Sequence, residues 1–464
     1  MEIRLVTKKF KVTLSIALSM FYAVSAKAQN EDQSQQDSVV LTLGQAIEIS
    51  LCDNPSIKIG EREIELKKYS KWETISGLLP NISATGALQN SLQLQKMKLD
   101  FSPEPIAMGQ KYVANGTFNL SLPLVAPQLW KTIQLNQKDL ELSVEKSRES
   151  KIEQVNQVRN AYYSLLLAKD AYEALASSYK TAQLNAEFVT KNYEQGKASE
   201  YDKLVADVQY RNIKPLMVNG ESAIKLAVLS LKVLMGVDVD SPIIFAGSLK
   251  NYEEEMLSDY MYLKNDTSLV NNSILKQLEI QGQMLKDTKL INKFGYIPTL
   301  GMGISYGWQA MHKDLKIKNY DWFPGSTLSF SLSVPIFDGG KKYFKTKQDN
   351  ISIGNLELLK QNTIRQLQLS VTNSLDNISA AVEQVTSNKE SVQQAEKAYY
   401  ISQKRYAVGS GTLLEMNTSE TALTQARLQY AQSIYDYLSA KSNLDSTLGK
   451  SIDEYLCDKE NETK

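Results

Sequence analysis

Residues able to do chemistry are scarce in this chain. His312 is the only histidine, and Cys52 and Cys457 are the only cysteines, in 464 residues. Neither a His/Cys zinc cluster nor a dense disulfide framework can be assembled from them. No Ser/His/Asp spacing sets a nucleophile beside a base, and no Gly-rich phosphate loop runs into Lys-Ser/Thr. Lys plus Arg and Asp plus Glu both number 52, so no basic excess exists to neutralise a nucleic-acid backbone. Two spaced polar motifs remain: Tyr193-x-x-Gly196-x-x-Ser199-x-x-Asp202 and Tyr406-x-x-Gly409-x-x-Thr412-x-x-Glu415. In each, the glycine can close one helix in a left-handed cap. The hydroxyl can cap the next helix, with the carboxylate three residues on completing a capping box. This is the chemistry of a tight helix-to-helix turn with hydrogen-bonding side chains. No enzyme activity, no cofactor and no metal are expected from it.

The elements that must position these turns begin with an address. Lys8, Lys9 and Lys11 precede a short apolar stretch over 12–23, and Ser25-Ala-Lys-Ala28 follows. That is the layout of a signal peptide over 1–28. No other apolar run reaches the 18 residues a spanning helix needs. An exported chain without a helical anchor is either soluble outside the cytoplasm or part of a β-barrel.

The sequence is written twice. Asn54-Pro-Ser-Ile-Lys58 returns as Asn272-Ser-Ile-Leu-Lys276, and Pro80 returns as Pro298, at a shift of 218 residues. The two turn motifs, and Leu234-Met-Gly236 with Thr447-Leu-Gly449, are related by a shift of 213. Each copy reads helix, two strands, long helix, turn, long return helix. The first spans 29–240, with helices over 43–77, 128–195 and 199–235 and strands over 80–90 and 116–125. The second spans 267–450, with helices over 268–296, 341–408 and 412–448 and strands over 298–308 and 326–337. An inter-repeat segment fills 241–266 and a tail fills 451–464. From Gln128 to Gln195 there is neither Gly nor Pro, and a helix of that length reaches roughly 100 Å. Pro215 is expected to kink or break the first return helix.

Periodicity says how these parts pack. Leu165, Ala168, Tyr172, Leu175, Tyr179, Ala182, Ala186, Val189 and Tyr193 alternate three and four apart, and a matching seam runs from Ile378 to Tyr406. A 3.5-residue repeat means coiled-coil packing. Taken alone, it also fits an antiparallel helical hairpin or bundle. The strands add a second pattern. Leu328, Phe330 and Leu332 alternate with Ser329, Ser331 and Ser333, and Phe118, Leu120 and Leu122 with Thr117, Asn119 and Ser121. One apolar face and one small polar face suit a transmembrane barrel, although a soluble sandwich with one wet face shares the pattern. Four strands cannot close a barrel, so several chains would have to build it.

The two-copy layout, Leu332-Ser-Val-Pro-Ile-Phe-Asp-Gly-Gly340, the Tyr406 to Glu415 turn and the closing Leu-Met-Gly236 together resemble the TolC-type outer membrane efflux protein family. The likeness runs from about Leu41 to Gly449. The resemblance implies a mainly α fold with a transmembrane β-barrel, in which a homotrimer builds a twelve-stranded barrel continued by an α-helical coiled-coil barrel. It implies an outer-membrane location reaching into the periplasm. It assigns Gly196, Ser199, Asp202, Gly409, Thr412 and Glu415 to the periplasmic tip, where a periplasmic adaptor (membrane fusion) protein docks. Tyr406, Asp202 and Glu415 take the place of gate residues. Two positions depart from the family pattern: Gly411 stands where a basic residue is usual, and Thr418 where a second carboxylate is usual. Stretches 91–115 and 309–325 would be loops outside the cell, with Trp308, Trp322 and Phe323 near the membrane interface.

The implied function is a passive exit duct. It would be fed by an inner-membrane pump of RND, ABC or MFS type through the adaptor, and would carry small molecules or polypeptides outward. Outer membrane lipid is an expected partner and nucleic acid is not. The competing class is a periplasmic or surface coiled-coil protein with a structural or adhesive role. Strands that occur twice within the chain, interleaved with helices, argue against an adhesin.

Overall fold

The computed structural model describes residues 39–97, 105–253, 256, 267–315, 318 and 320–450. The expected signal peptide and the tail over 451–464 lie outside them, as does part of the inter-repeat segment. The described residues fall into two compact units. The smaller contains β1 (Val39–Leu41) and β6 (Ile243–Phe245), paired parallel from Val39↔Ile243 to Leu41↔Phe245.

The larger unit holds the repeats. Its first copy runs α1 (Leu43–Asp53), α2 (Pro55–Ser76), β2 (Asn81–Asn90), a short hairpin of β3 (Gln95–Met97) and β4 (Ile106–Met108), β5 (Tyr112–Val125), α3 (Pro127–Glu194) and α4 (Glu200–Met235). The second runs α5 (Ser273–Phe294), β7 (Thr299–His312), β8 (Phe323–Ser333), α6 (Lys341–Ala407) and α7 (Leu413–Leu448). Corresponding helices match closely: α2 and α5 both have 22 residues, α3 and α6 have 68 and 67, and α4 and α7 both have 36.

The helix expected over 43–77 is two helices. Pro55 disfavours helical backbone at Asn54, which turns extended and becomes the cap of α2, its Oδ1 accepting from Ser56 N at 2.7 Å. Asn272 repeats the device and accepts from Leu275 N at 3.0 Å. The duplicated motifs then meet in space. Asn54 Nδ2 donates to Leu234 O at 2.8 Å, and Asn272 Nδ2 donates to Thr447 O at 2.8 Å. Beside them Gly236 and Gly449 end α4 and α7 at φ +72° and +71°. A Cβ at Gly236 would lie 2.8 Å from Asn54 Cα. Cys52, near the end of α1, is disulfide-bonded, as an exported chain permits.

Of the two outcomes expected at Pro215, a break does not occur: α4 runs through it. Pro215 and Arg211 both face solvent, so the carbonyl that loses its partner can bond to water.

The core lies along α3, which packs against α1, α2, α4, α5 and α7. Val155, Val158, Tyr162, Leu165 and Leu166 are each at most 2% exposed. Polar clasps tie α3 to α7: Ser442 Oγ donates to Asn156 Oδ1 at 2.7 Å, and Arg159 reaches Asp445 at 3.5 Å. Towards the strands, the helices adjoin in the order α2-α3-α5-α6. The strands they lead into or out of form one antiparallel sheet in the same order, β2-β5-β7-β8. The sheet is longer than expected at its loop end, because Tyr112↔His312 and Ala114↔Ala310 continue the pairing. Tyr320 folds back over Ala114 and Ala310, and its ring stacks on His312 at 5.3 Å. At the other end β8 stops at Ser333 rather than 337. Pro335 has no N–H to extend the ladder.

The glycine caps should separate sharply from a glycine that only interrupts a helix. Gly236→Ala and Gly449→Ala should each cost about 1–3 kcal/mol through the left-handed backbone and the close neighbour. Gly354→Ala in α6, where an added Cβ meets nothing within 4 Å, should gain about 0.5–1 kcal/mol. Denaturant unfolding of the detergent-solubilised protein measures all three.

Candidate functional site

Two regions carry the residues singled out in the sequence: the paired helix turns and the sheet. At the first turn, Gly196 takes φ +68° and closes α3, with Lys197 N donating back to Asn192 O at 2.8 Å. Asp202 N donates to Ser199 Oγ at 3.1 Å, and Ser199 N donates to Asp202 Oδ2 at 3.3 Å. The second turn repeats this. Gly409 takes φ +75°, Glu415 N donates to Thr412 Oγ1 at 3.2 Å, and Thr412 N donates to Glu415 Oε2 at 3.4 Å. Both capping boxes form, so Asp202 and Glu415 each hold the start of a helix.

The two turns lie side by side. Leu413 and Met416, 3% and 2% exposed, pack with Ala186, Val189 and Ala206 of the other hairpin, and Tyr406 lies against the same cluster. Phe188 meets the Tyr406 ring edge-on at 6.2 Å. Burial, and then the charge of Asp202, push the Tyr406 phenol above its ordinary pKa. Among the described residues no hydrogen bond joins Tyr406 to Asp202, whose carboxylate is taken up by Ser199. Leu413 was not singled out from the sequence. Its signal is the Leu413/Met416 pair three apart at the start of α7, which faces the neighbouring hairpin.

Gly411, where a basic residue was expected from the resemblance, sits against the preceding helix. A Cβ there would lie 3.0 Å from Arg405 Cβ and 3.2 Å from Tyr406 N. A basic group comes instead from Arg405, which approaches Glu415 at 3.5 Å and donates to Ser410 O at 3.1 Å. Sequence reasoning missed it because the pair is ten residues apart and meets only across the turn.

Further along α7, Glu420 is 5% exposed between α7 and α3. Ser178 Oγ donates to its Oε1, and Thr424 Oγ1 donates to the same oxygen at 3.2 Å. Burial raises its pKa, against the opposing pull of these hydrogen bonds and of Arg427.

In the sheet, register aligns like with like. Ala84↔Phe118↔Tyr306, Ile82↔Leu120↔Ile304↔Leu328 and Met302↔Phe330 form one apolar face. Ser83↔Asn119↔Ser305↔Thr327 and Gly303↔Ser329 form the other. Phe118 and Tyr306 meet Trp308 edge-on at 6.4 and 4.9 Å on the apolar face. Phe330 and Leu332 are 63% and 66% exposed, so none of the described residues covers that face. β2 and β8 are the edges, and through three antiparallel pairings they run in opposite directions.

A duplicated unit of strands and very long helices, with its turns paired at one end and an apolar sheet face at the other, defines a class of membrane-embedded helical hairpin proteins. The chain belongs to the outer membrane efflux protein family, whose profile matches residues 46–237 and 266–450, once per copy. It is therefore an outer membrane protein and not an enzyme. Outer membrane protein TolC of Salmonella enteritidis is 22% identical over 306 residues, covering 62% of this chain. That match spans 60% of the relative's length. Among solved structures, the CmeC outer membrane channel of Campylobacter jejuni superposes with a TM-score of 0.71 at 15% identity, covering 90% of this chain and 88% of its own. Outer membrane protein VceC of Vibrio cholerae gives 0.70 at 15% identity, covering 88% and 96%.

Glu420 supplies a pH test. Its pKa in the folded chain lies above the ordinary 4.5, so folding holds the proton more tightly than the unfolded chain does. The stability this confers is complete below the ordinary value and is lost as pH rises through the folded one. Glu420→Gln should thus raise Tm at neutral pH, by roughly 2–4 °C, and leave it unchanged near about pH 4. Thermal unfolding at the two pH values measures the difference.

Proposed function

We propose that three copies of this chain close into a channel that crosses the outer membrane and continues through the periplasm as a helical tube. The observation that carries this reading is the sheet. A four-stranded sheet with an apolar face cannot sit in lipid with two bare edges, because every backbone N–H and C=O there needs a partner. β8, with 11 residues, matches β2, with 10 residues, in length and runs opposite to it, so each copy can add its β8 to the β2 of the next until the ring closes. The polar face then lines the lumen with Ser, Thr, Asn and Gly. The helices give the same message: Phe344, Ile351 and Leu358 recur every seven residues on α6, all at least 63% exposed. An uncovered heptad seam fits a neighbouring helix.

In this reading the duct is passive. An inner-membrane pump of RND, ABC or MFS type drives cargo, either small toxic molecules or polypeptides, into it through a periplasmic adaptor. Gly196, Ser199, Asp202, Gly409, Thr412 and Glu415 form the docking tip, with Tyr406, Asp202 and Glu415 at the constriction. The capped turns and the cluster around Met416 support a tip that is held shut by contacts between hairpins. Opening it requires the hairpins to part.

Single-channel conductance in a planar bilayer tests the gate. Wild type should give small, mostly closed currents, and Tyr406→Phe with Asp202→Ala should raise the open fraction. Unchanged currents would remove these residues from the gate, and failure to insert would remove the channel. The lipid face has its own test. Leu328→Arg, at the middle of β8 on the apolar face, should block assembly in the outer membrane, at a cost of about 2–4 kcal/mol per chain near the bilayer midplane, while Ser331→Asn on the polar face assembles normally. Fractionation followed by native gel separates the two.

A further inference from the structure

Where the sheet gives way to the helices, a cavity of about 580 Å³ opens between the first residues of α3, the end of α5 and the start of α6. Gln128, Asn292, Lys341, Lys342, Lys345 and Phe344 are on its wall. Lys341 and Lys345 face solvent, and neither makes an ion pair among the described residues. Lys342 is held in place, 3.8 Å from Asp338 and over the Tyr296 ring at 4.8 Å. The start of α6 is not an open anion site, because Asp338 already accepts from Gly340 N and Lys342 N, both at 3.2 Å. The positive charge of the cavity therefore comes from lysine side chains. Beside it the chain exposes a run of apolar groups: Ile336 at 93%, Phe337 at 88% and Tyr343 at 56%.

Bare lysines next to uncovered aromatic and aliphatic groups, at the end of a lipid-facing sheet, match a ligand with a negative head and an apolar tail. We propose that this cavity binds the phosphate headgroup of an anionic glycerophospholipid from the periplasmic leaflet. Lys341 and Lys345 hold the phosphate, Gln128 and Asn292 lie beside it, and Ile336 and Phe337 border the acyl chains. The inference rests on the outer-membrane channel reading for the position of the leaflet, but its test in detergent does not require current to flow.

The experiment is native mass spectrometry of the full chain in a non-ionic detergent, titrated with phosphatidylglycerol and with phosphatidylcholine. Wild type should retain phosphatidylglycerol preferentially. Lys341→Gln with Lys345→Gln should weaken that binding roughly thirtyfold, at about 1 kcal/mol for each lysine near a membrane surface. Inorganic phosphate added in excess should not displace the lipid. Equal binding by variant and wild type overturns the proposal. Displacement by inorganic phosphate overturns it too and assigns the cavity to the free anion. Loss of oligomer in the variant, with lipid binding unchanged on what remains, overturns it in favour of a contact between copies. Conductance of the same preparation is read separately: retained lipid preference without current leaves the headgroup site standing and removes the channel.

Discussion

The burial of α3 is the interaction on which the rest of the structure depends. This one helix of 68 residues touches most of the other helices of both copies. Its N-terminal part takes α2 and α5, and its C-terminal part takes α4 and α7. A helix of this length has little tertiary support of its own, since stability in water comes from packing an apolar face rather than from propensity. Here that support is supplied on more than one side. Tyr162, Tyr163, Leu165 and Leu166 are all buried; the consecutive pair Tyr162 and Tyr163 lies about 100° apart around the helix, so the buried face is wider than a coiled-coil seam.

Duplication explains how the sheet and helices keep one order. Each copy brings two strands and the helices that flank them, so β2-β5-β7-β8 follows α2-α3-α5-α6 without any crossing connection. The same duplication leaves both borders of the chain unsatisfied. Among the described residues β2 and β8 lack outer partners, and α6 exposes a heptad seam. Backbone groups in lipid must be paired, and heptad seams must be covered. Both demands are met at once by repetition of the chain around an axis, which is why the channel proposal draws on the borders rather than on any single residue.

The turns at Gly196 and Gly409 show how simple helix capping sets polar groups beside a neighbouring hairpin. Each carboxylate that caps a helix also sits beside a neighbouring hairpin: Asp202 acts on Tyr406 through its charge, and Glu415 faces Arg405. The capping role is local and complete in one chain. A gating role belongs to the proposed channel, and at Asp202 it would draw on a carboxylate that already accepts from Ser199.

The sequence by itself determined the two copies, the strand faces, the long helices and both capping boxes. All of these follow from periodicity and from contacts within a few residues. Tyr406, Ser199 and Thr412 were legible for that reason. Where a local rule met a tertiary one, the reading failed. Asn54 broke a helix expected to be continuous because Pro55 follows it, while Pro215 broke nothing because its side of α4 faces water. The tertiary structure alone decided that the matching motifs Asn54 and Leu234, and Asn272 and Thr447, touch. It also decided that Arg405 meets Glu415 across the turn, and that Glu420 is buried between hairpins. Each of these depends on which faces of distant helices meet, and no local spacing encodes that, because packing between elements is settled only when the whole set of apolar surfaces is buried together.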